Sequence, residues 1–175
     1  MIWKQLLYFF FPILFGSFFQ QLYNTTDAVI VGNFVGKEAL AAVGGSTGTL
    51  INLLVGFFVG LSSGATVMVA QYYGAQQPQE VSKTVHTAMA LSIASSVFLT
   101  VLGIAVAPWA LRAMGTPEDI MDYAVTYMRI YFGGTLFSLV YNMGASILRA
   151  VGDSKRPLYF LIASTGVNIV LDLVF

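Results

Sequence analysis

Charge is what this chain has least of: 9% of its residues are Asp, Glu, Lys or Arg, against about 25% in an ordinary soluble domain. The eight basic residues balance eight acidic ones, and no basic cluster exceeds the pair Lys155 and Arg156, which excludes a nucleic-acid footprint. Cysteine is absent, so disulfides and thiolate metal sites are excluded as well. The single histidine, His86, has no companion at metal-ligand spacing and reads as interfacial. No Ser/His/Asp set and no phosphate-binding glycine loop are found, so enzyme activity has no support. Strict alternation of apolar and polar residues is also missing, which argues against a transmembrane barrel.

What is there is apolar. Hydrophobic residues make up 57% of the chain and aromatics 14%, the composition of a membrane protein. Crossing about 30 Å of hydrocarbon takes about 20 apolar residues in a helix. A window of that length finds five candidates, roughly residues 6–35, 50–73, 84–109, 130–148 and 157–175. The first follows Lys4 as a secretory signal would, yet no small-x-small cleavage site comes after it, so it reads as a retained helix. The expected fold is therefore all-α, a polytopic bundle of five transmembrane helices forming one domain over 1–175. GAQQPQE, MGTPED and VGDSKRP punctuate the apolar runs with Gly, Pro and acids. Lys4, Lys83, Arg149, Lys155 and Arg156 share one side, whereas Lys37, Arg112 and Arg129 lie on or near the other. That bias places the N-terminus in the cytoplasm.

Most acids sit in or beside loops, where water solvates them. Asp27 and Asp172 fall inside spans instead. A carboxylate near a helix centre costs about 2.5–3.5 kcal/mol on insertion scales, and is tolerated where it faces a bundle interior or a wet cavity. Gln20, Tyr23, Asn24 and Asp27 stand at i, i+3, i+4 and i+7, one face of the first helix. Asn168 and Asp172, four apart, share a face of the fifth. Counting the helical rise puts both acids in the half of the membrane away from the N-terminus. Two such carboxylates cannot both ionise cheaply. The site they form binds a proton, or a cation such as sodium held by Asp27, Asn168 and Asp172; the alternative is that each acid hydrogen-bonds a neighbouring helix and holds the bundle together.

Pro12 removes a backbone hydrogen bond from the first helix and permits a hinge or a static bend. Gly56, Gly60 and Gly64 form two overlapping GxxxG units on one face of the second helix, a pattern for close helix packing. Met128, Tyr131, Tyr141 and Met143 are candidates for an adaptable apolar cavity, or for plain contacts with lipid and neighbouring helices.

The run PILFGSFFQQLYNTTDAVIVGNFVGKEALAAVG, followed by VAQYYGAQQ, ILRAVGDSKRP and NIVLD, resembles the bacterial branch of the multidrug and toxic compound extrusion (MATE) family across essentially the whole chain. The resemblance implies a polyspecific secondary antiporter of the cytoplasmic membrane. Such a protein exports cationic or amphipathic small molecules in exchange for protons or sodium and needs no cofactor beyond that ion. It also implies two lobes of six helices around a central cavity, so that these 175 residues supply most of an N-terminal lobe and require missing helices of the same chain. By position, Asp27 resembles the family's first-helix acid, and Asn168 with Asp172 its fifth-helix pair. Gln20 and Tyr23 fall among the polar partners, and Pro12 falls where the first helix bends. Two other readings stand beside it: a lipid-linked saccharide flippase of the same superfamily, which calls for several basic residues in its cavity, and a truncated membrane protein that transports nothing.

Overall fold

The computed structural model describes residues 2–30, 32, 41 and 44–174, apart from a few side chains among them that include those of Asp27 and Asp172. Five long helices account for nearly all of this: α1 (Ile2–Ile30), α2 (Ser46–Gly74), α3 (Pro78–Ala113), α4 (Glu118–Ala150) and α5 (Lys155–Val174). Among the described residues there is no strand. The turns from α2 to α5 are a few residues long, and each contains one residue of left-handed backbone. Gly115 and Gly152 take φ of 71° and 89°, a conformation that glycine adopts without steric cost, whereas Gln76 at 55° bears a cost there. Pro78 lies in the first turn of α3, where its missing N–H removes no helical bond. Glu118 and Asp119 open α4, and Arg112 closes α3, each with the sign that suits its end of the helix dipole.

Helices are longer than the apolar windows at several ends. The largest difference is in α4, which begins at Glu118 rather than near residue 130. Its first three turns carry Asp119, Asp122 and Arg129, which lower the window average. Yet Met121, Ala124 and Met128 in the same turns are buried at helical spacing, so one face is a core face despite the charges. Similarly, α3 starts at Pro78 rather than near residue 84. The far end of the first apolar run, residues 31 and 33–35, lies outside the described residues.

Three helices, α2, α3 and α4, pack together around Leu99, Ala107, Leu111, Met128, Phe132 and Leu139. The α3 face that enters this core is a stripe of small residues: Ala88, Ser92, Ser96, Gly103 and Ala107 are all buried. A Cβ placed on Gly103 would collide with the ring of Phe132, so α3 and α4 approach as closely as that hydrogen allows. Nearby, Thr100 Oγ1 donates to the Phe132 carbonyl across the same interface at 2.8 Å. The close approach expected at Gly56, Gly60 and Gly64 is not made by any described residue: a Cβ on each would meet nothing within 4 Å. Spacing identifies a small-residue face but not its partner, and here α2 turns that face away from α3 and α4.

The outside of the molecule is as apolar as its core. Phe137 is 76% exposed, Trp109 73% and Ile130 72%, while Phe132 is 0% exposed. Soluble monomers rarely expose apolar patches above a few hundred Å², whereas lipid covers such a surface without cost. Leu6–Thr26, Thr47–Gly74 and Pro78–Ala113 are long and apolar enough to cross a membrane by length and composition. In α4, Tyr, Ser, Thr and Gly occupy much of the length because this helix packs against α2, α3 and α5. In α5, Lys155 and Arg156 take up the first turn.

Candidate functional site

α1 packs against α5, its distant neighbour in sequence, rather than against the α2–α3–α4 core. Two contacts set their relative direction and bring the same stretches together. The ammonium of Lys155 lies 4.6 Å from the centre of the Tyr8 ring. Farther along, a Cβ on Gly16 would touch Leu161 Cδ2 at 3.8 Å. Residue numbers rise together along both helices, so the two run parallel.

From that contact the polar positions can be located by helical geometry alone. Tyr23 lies seven residues beyond Gly16, and Asn168 seven beyond Leu161. Seven residues are two turns, so both return to the facing sides at one height, about 10 Å above the contact. Asp27 and Asp172 each lie eleven residues beyond the same pair, three turns on and about 16 Å above it. Their backbone positions thus lie within about one to two turns of the same height on α1 and α5; their side chains lie outside those described. Tyr23 is half-buried, and Asn24, beside it in the same predicted stripe, is exposed. The Asn168 side chain supplies the chemical signal of the pair. Its Oδ1 is buried and accepts no hydrogen bond from the described residues, a condition that costs about 1–3 kcal/mol for a buried acceptor.

A second polar region lies toward the other end of the α1–α5 pair. Pro12, Ser17 and Gln20 of α1 face Tyr141, Asn142 and Arg149 of α4 across a cleft of about 90 Å³ that α5 closes with Pro157, Leu158 and Leu161. Tyr141 Oη donates to the Pro157 carbonyl at 3.1 Å, which ties α4 to the start of α5. Asn142 Nδ2 donates to the Ser138 carbonyl at 2.9 Å. Pro12 lies within α1 and cannot donate to the carbonyl four residues earlier, that of Tyr8. The helix therefore lacks one backbone bond at the cleft wall, beside the ring that holds Lys155.

The predicted stripe of α1 is consequently split: Gln20 belongs to this cleft, while Tyr23 and Asp27 stand at the levels of Asn168 and Asp172. Sequence reading missed Arg149, Asn142 and Ser17 as companions of Gln20. Arg149 read as a loop cation because it ends a long helix. The available signal was the four-residue spacing of Tyr141, Ala145 and Arg149 along α4, which puts all three on one face.

Comparison with known proteins bears on the whole arrangement. The MatE family pattern matches residues 12–174. The probable multidrug resistance protein YoeA of Bacillus subtilis is 34% identical over 170 residues, which cover 97% of this chain and 36% of that protein. YpnP, a probable multidrug resistance protein of the same organism, is 31% identical over 98% of this chain and 38% of its own length. The chain thus spans little more than a third of these relatives. Among solved structures, a MATE transporter in complex with MaD3S superposes with a TM-score of 0.90 at 28% identity, over 98% of this chain and 38% of the other. Crystal structures of MATE in the straight and bent conformations give 0.90 and 0.89.

Proposed function

Because the chain belongs to the MatE family, a family of multi-pass membrane proteins, we propose that it forms most of the N-terminal lobe of a multidrug efflux antiporter. In this reading, cationic or amphipathic compounds leave the cell in exchange for protons or sodium across the cytoplasmic membrane, and the N-terminus lies in the cytoplasm. Asp27, Asn168 and Asp172 hold the coupling ion. The observation that carries the assignment is the buried Oδ1 of Asn168, which has no partner among the described residues, one turn before Asp172 and on a helix packed against the one that carries Asp27. An amide oxygen left unpaired there is a ready ligand for sodium, or a ready acceptor for a protonated carboxyl. Empty, it is a cost; occupied, it offsets that cost.

Two consequences support the reading over its rivals. A flippase for lipid-linked saccharides would have to hold a pyrophosphate with several cations, whereas the charges read within the spans, Asp27 and Asp172, are both negative. A protein that transports nothing would still have to bear the cost of two intramembrane acids on facing helices. The test is efflux of a fluorescent cation from cells that express the complete transporter carrying this chain. Asp27→Asn is expected to abolish most of the efflux and flatten its dependence on pH and sodium. Full efflux with an unchanged ion dependence would overturn the assignment.

A further inference from the structure

We propose that the cleft between α1, α4 and α5 holds the phosphate of an anionic phospholipid, drawn from the leaflet on the side of the chain's N-terminus, with Arg149 as its cation. Arg149 is half-buried, and among the described residues its guanidinium makes one hydrogen bond, from Nη2 to Ser146 Oγ at 3.2 Å. No carboxylate among the described residues pairs with it. The nearest acid in sequence, Asp153, is already occupied: its Oδ2 lies 3.1 Å from Arg156 Nε, and its Oδ1 accepts the backbone N–H groups of Lys155 and Arg156 at 3.2 Å. A guanidinium has five donors in a fixed fork, so most of those on Arg149 remain for a ligand. The geometry that such a fork matches is a carboxylate or a phosphate.

The cleft's shape selects between sources of that anion. Its volume of about 90 Å³ is small beside the roughly 300–1,000 Å³ of pockets that hold drug-sized compounds, a scale that suits a headgroup phosphate. Ile13 is a wall of this cleft and also belongs to an apolar, exposed face of α1 with Trp3, Leu6, Leu7 and Phe10. A polar cleft that adjoins an exposed apolar helix face matches the two ends of a phospholipid, whereas a free phosphate would use the cleft alone. Lys4 near the start of α1 and Lys155 with Arg156 in the first turn of α5 add positive charge at this end of the helix pair, which favours an anionic headgroup over a zwitterionic one.

The experiment is native mass spectrometry of the full chain in detergent, offered phosphatidylglycerol, phosphatidylcholine or inorganic phosphate. One phosphatidylglycerol is expected to stay bound through desolvation, in preference to phosphatidylcholine and undisturbed by inorganic phosphate. Arg149→Gln should reduce its retention about tenfold, as expected for loss of charge-assisted hydrogen bonds, and Arg149→Lys should fall between. Ser17→Leu, at an exposed position of the cleft wall, blocks the space while keeping the charge and should also reduce retention, which keeps the test valid if Arg149→Gln fails to fold. Equal retention by wild type and both cleft variants would overturn the proposal. So would equal retention of phosphatidylcholine, or displacement of the lipid by inorganic phosphate.

Discussion

At Gly103 a single hydrogen sets the distance between two helices. Phe132 is fully buried opposite it, so the ring has no free space into which to swing when a methyl group is added. Gly103→Ala is therefore expected to destabilise the bundle by about 1–3 kcal/mol, the usual cost of overpacking a core. Gly60→Ala makes the same chemical change in α2 where a Cβ meets open space. It should leave stability unchanged or raise it by up to about 1 kcal/mol through helix propensity. Denaturant or thermal unfolding in one detergent, followed by circular dichroism, compares the two. The comparison also shows what a residue pattern can convey. The sequence displays GxxxG openly in α2, whereas Gly103 is a lone glycine whose importance depends on the aromatic side chain of another helix. The stripe from Ala88 through Ser92 and Ser96 to Ala107 went unread in the sequence although its small residues stand at helical spacing, and nothing in the sequence marks Phe132 as its knob.

Among the elements, α5 depends on its start. Asp153 covers the backbone N–H groups of Lys155 and Arg156, which would otherwise have no helical partner. Its ion pair with Arg156 is exposed and adds little. Asp153→Ala should therefore cost about 1 kcal/mol through loss of the cap. Hydrogen exchange should localise the effect, with faster exchange in the first turn of α5 and no change in α3. Asp153→Asn, which keeps an acceptor oxygen, should restore most of the protection. Element ends were the part of the fold least visible to a hydropathy window, and α4 shows why. Its first turns combine Asp119, Asp122 and Arg129 on the wet side with Met121, Ala124 and Met128 on the core side, and averaging around the helix cancels the two.

Across the whole molecule, the pairing of α1 with α5 is what no apolar run could announce, because lipid-facing residues carry no partner address. The two helices are joined by more than a hundred residues of chain, yet they run parallel in a register that sets Gly16 against Leu158 and Leu161. The absence of cysteine makes that register directly testable. Tyr23→Cys with Asn168→Cys should cross-link in high yield with a thiol reagent that spans the 8–10 Å typical of packed helix axes. Leu22→Cys with Asn168→Cys, about 100° around α1 from the contact face, should not. Equal yields would mean that α1 turns or slides on α5. A fixed register carries over to the acids, since positions 27 and 172 lie one turn farther on the same facing sides. If Asp27 and Asp172 hold one ion, removing either disables the same site, and the losses cannot add. In the complete transporter, Asp27→Asn, Asp172→Asn and the double substitution should then reduce coupled efflux to a similar residual level. Two partial losses that multiply in the double variant would instead mean two independent sites, and would separate the acids that the helix register brings together.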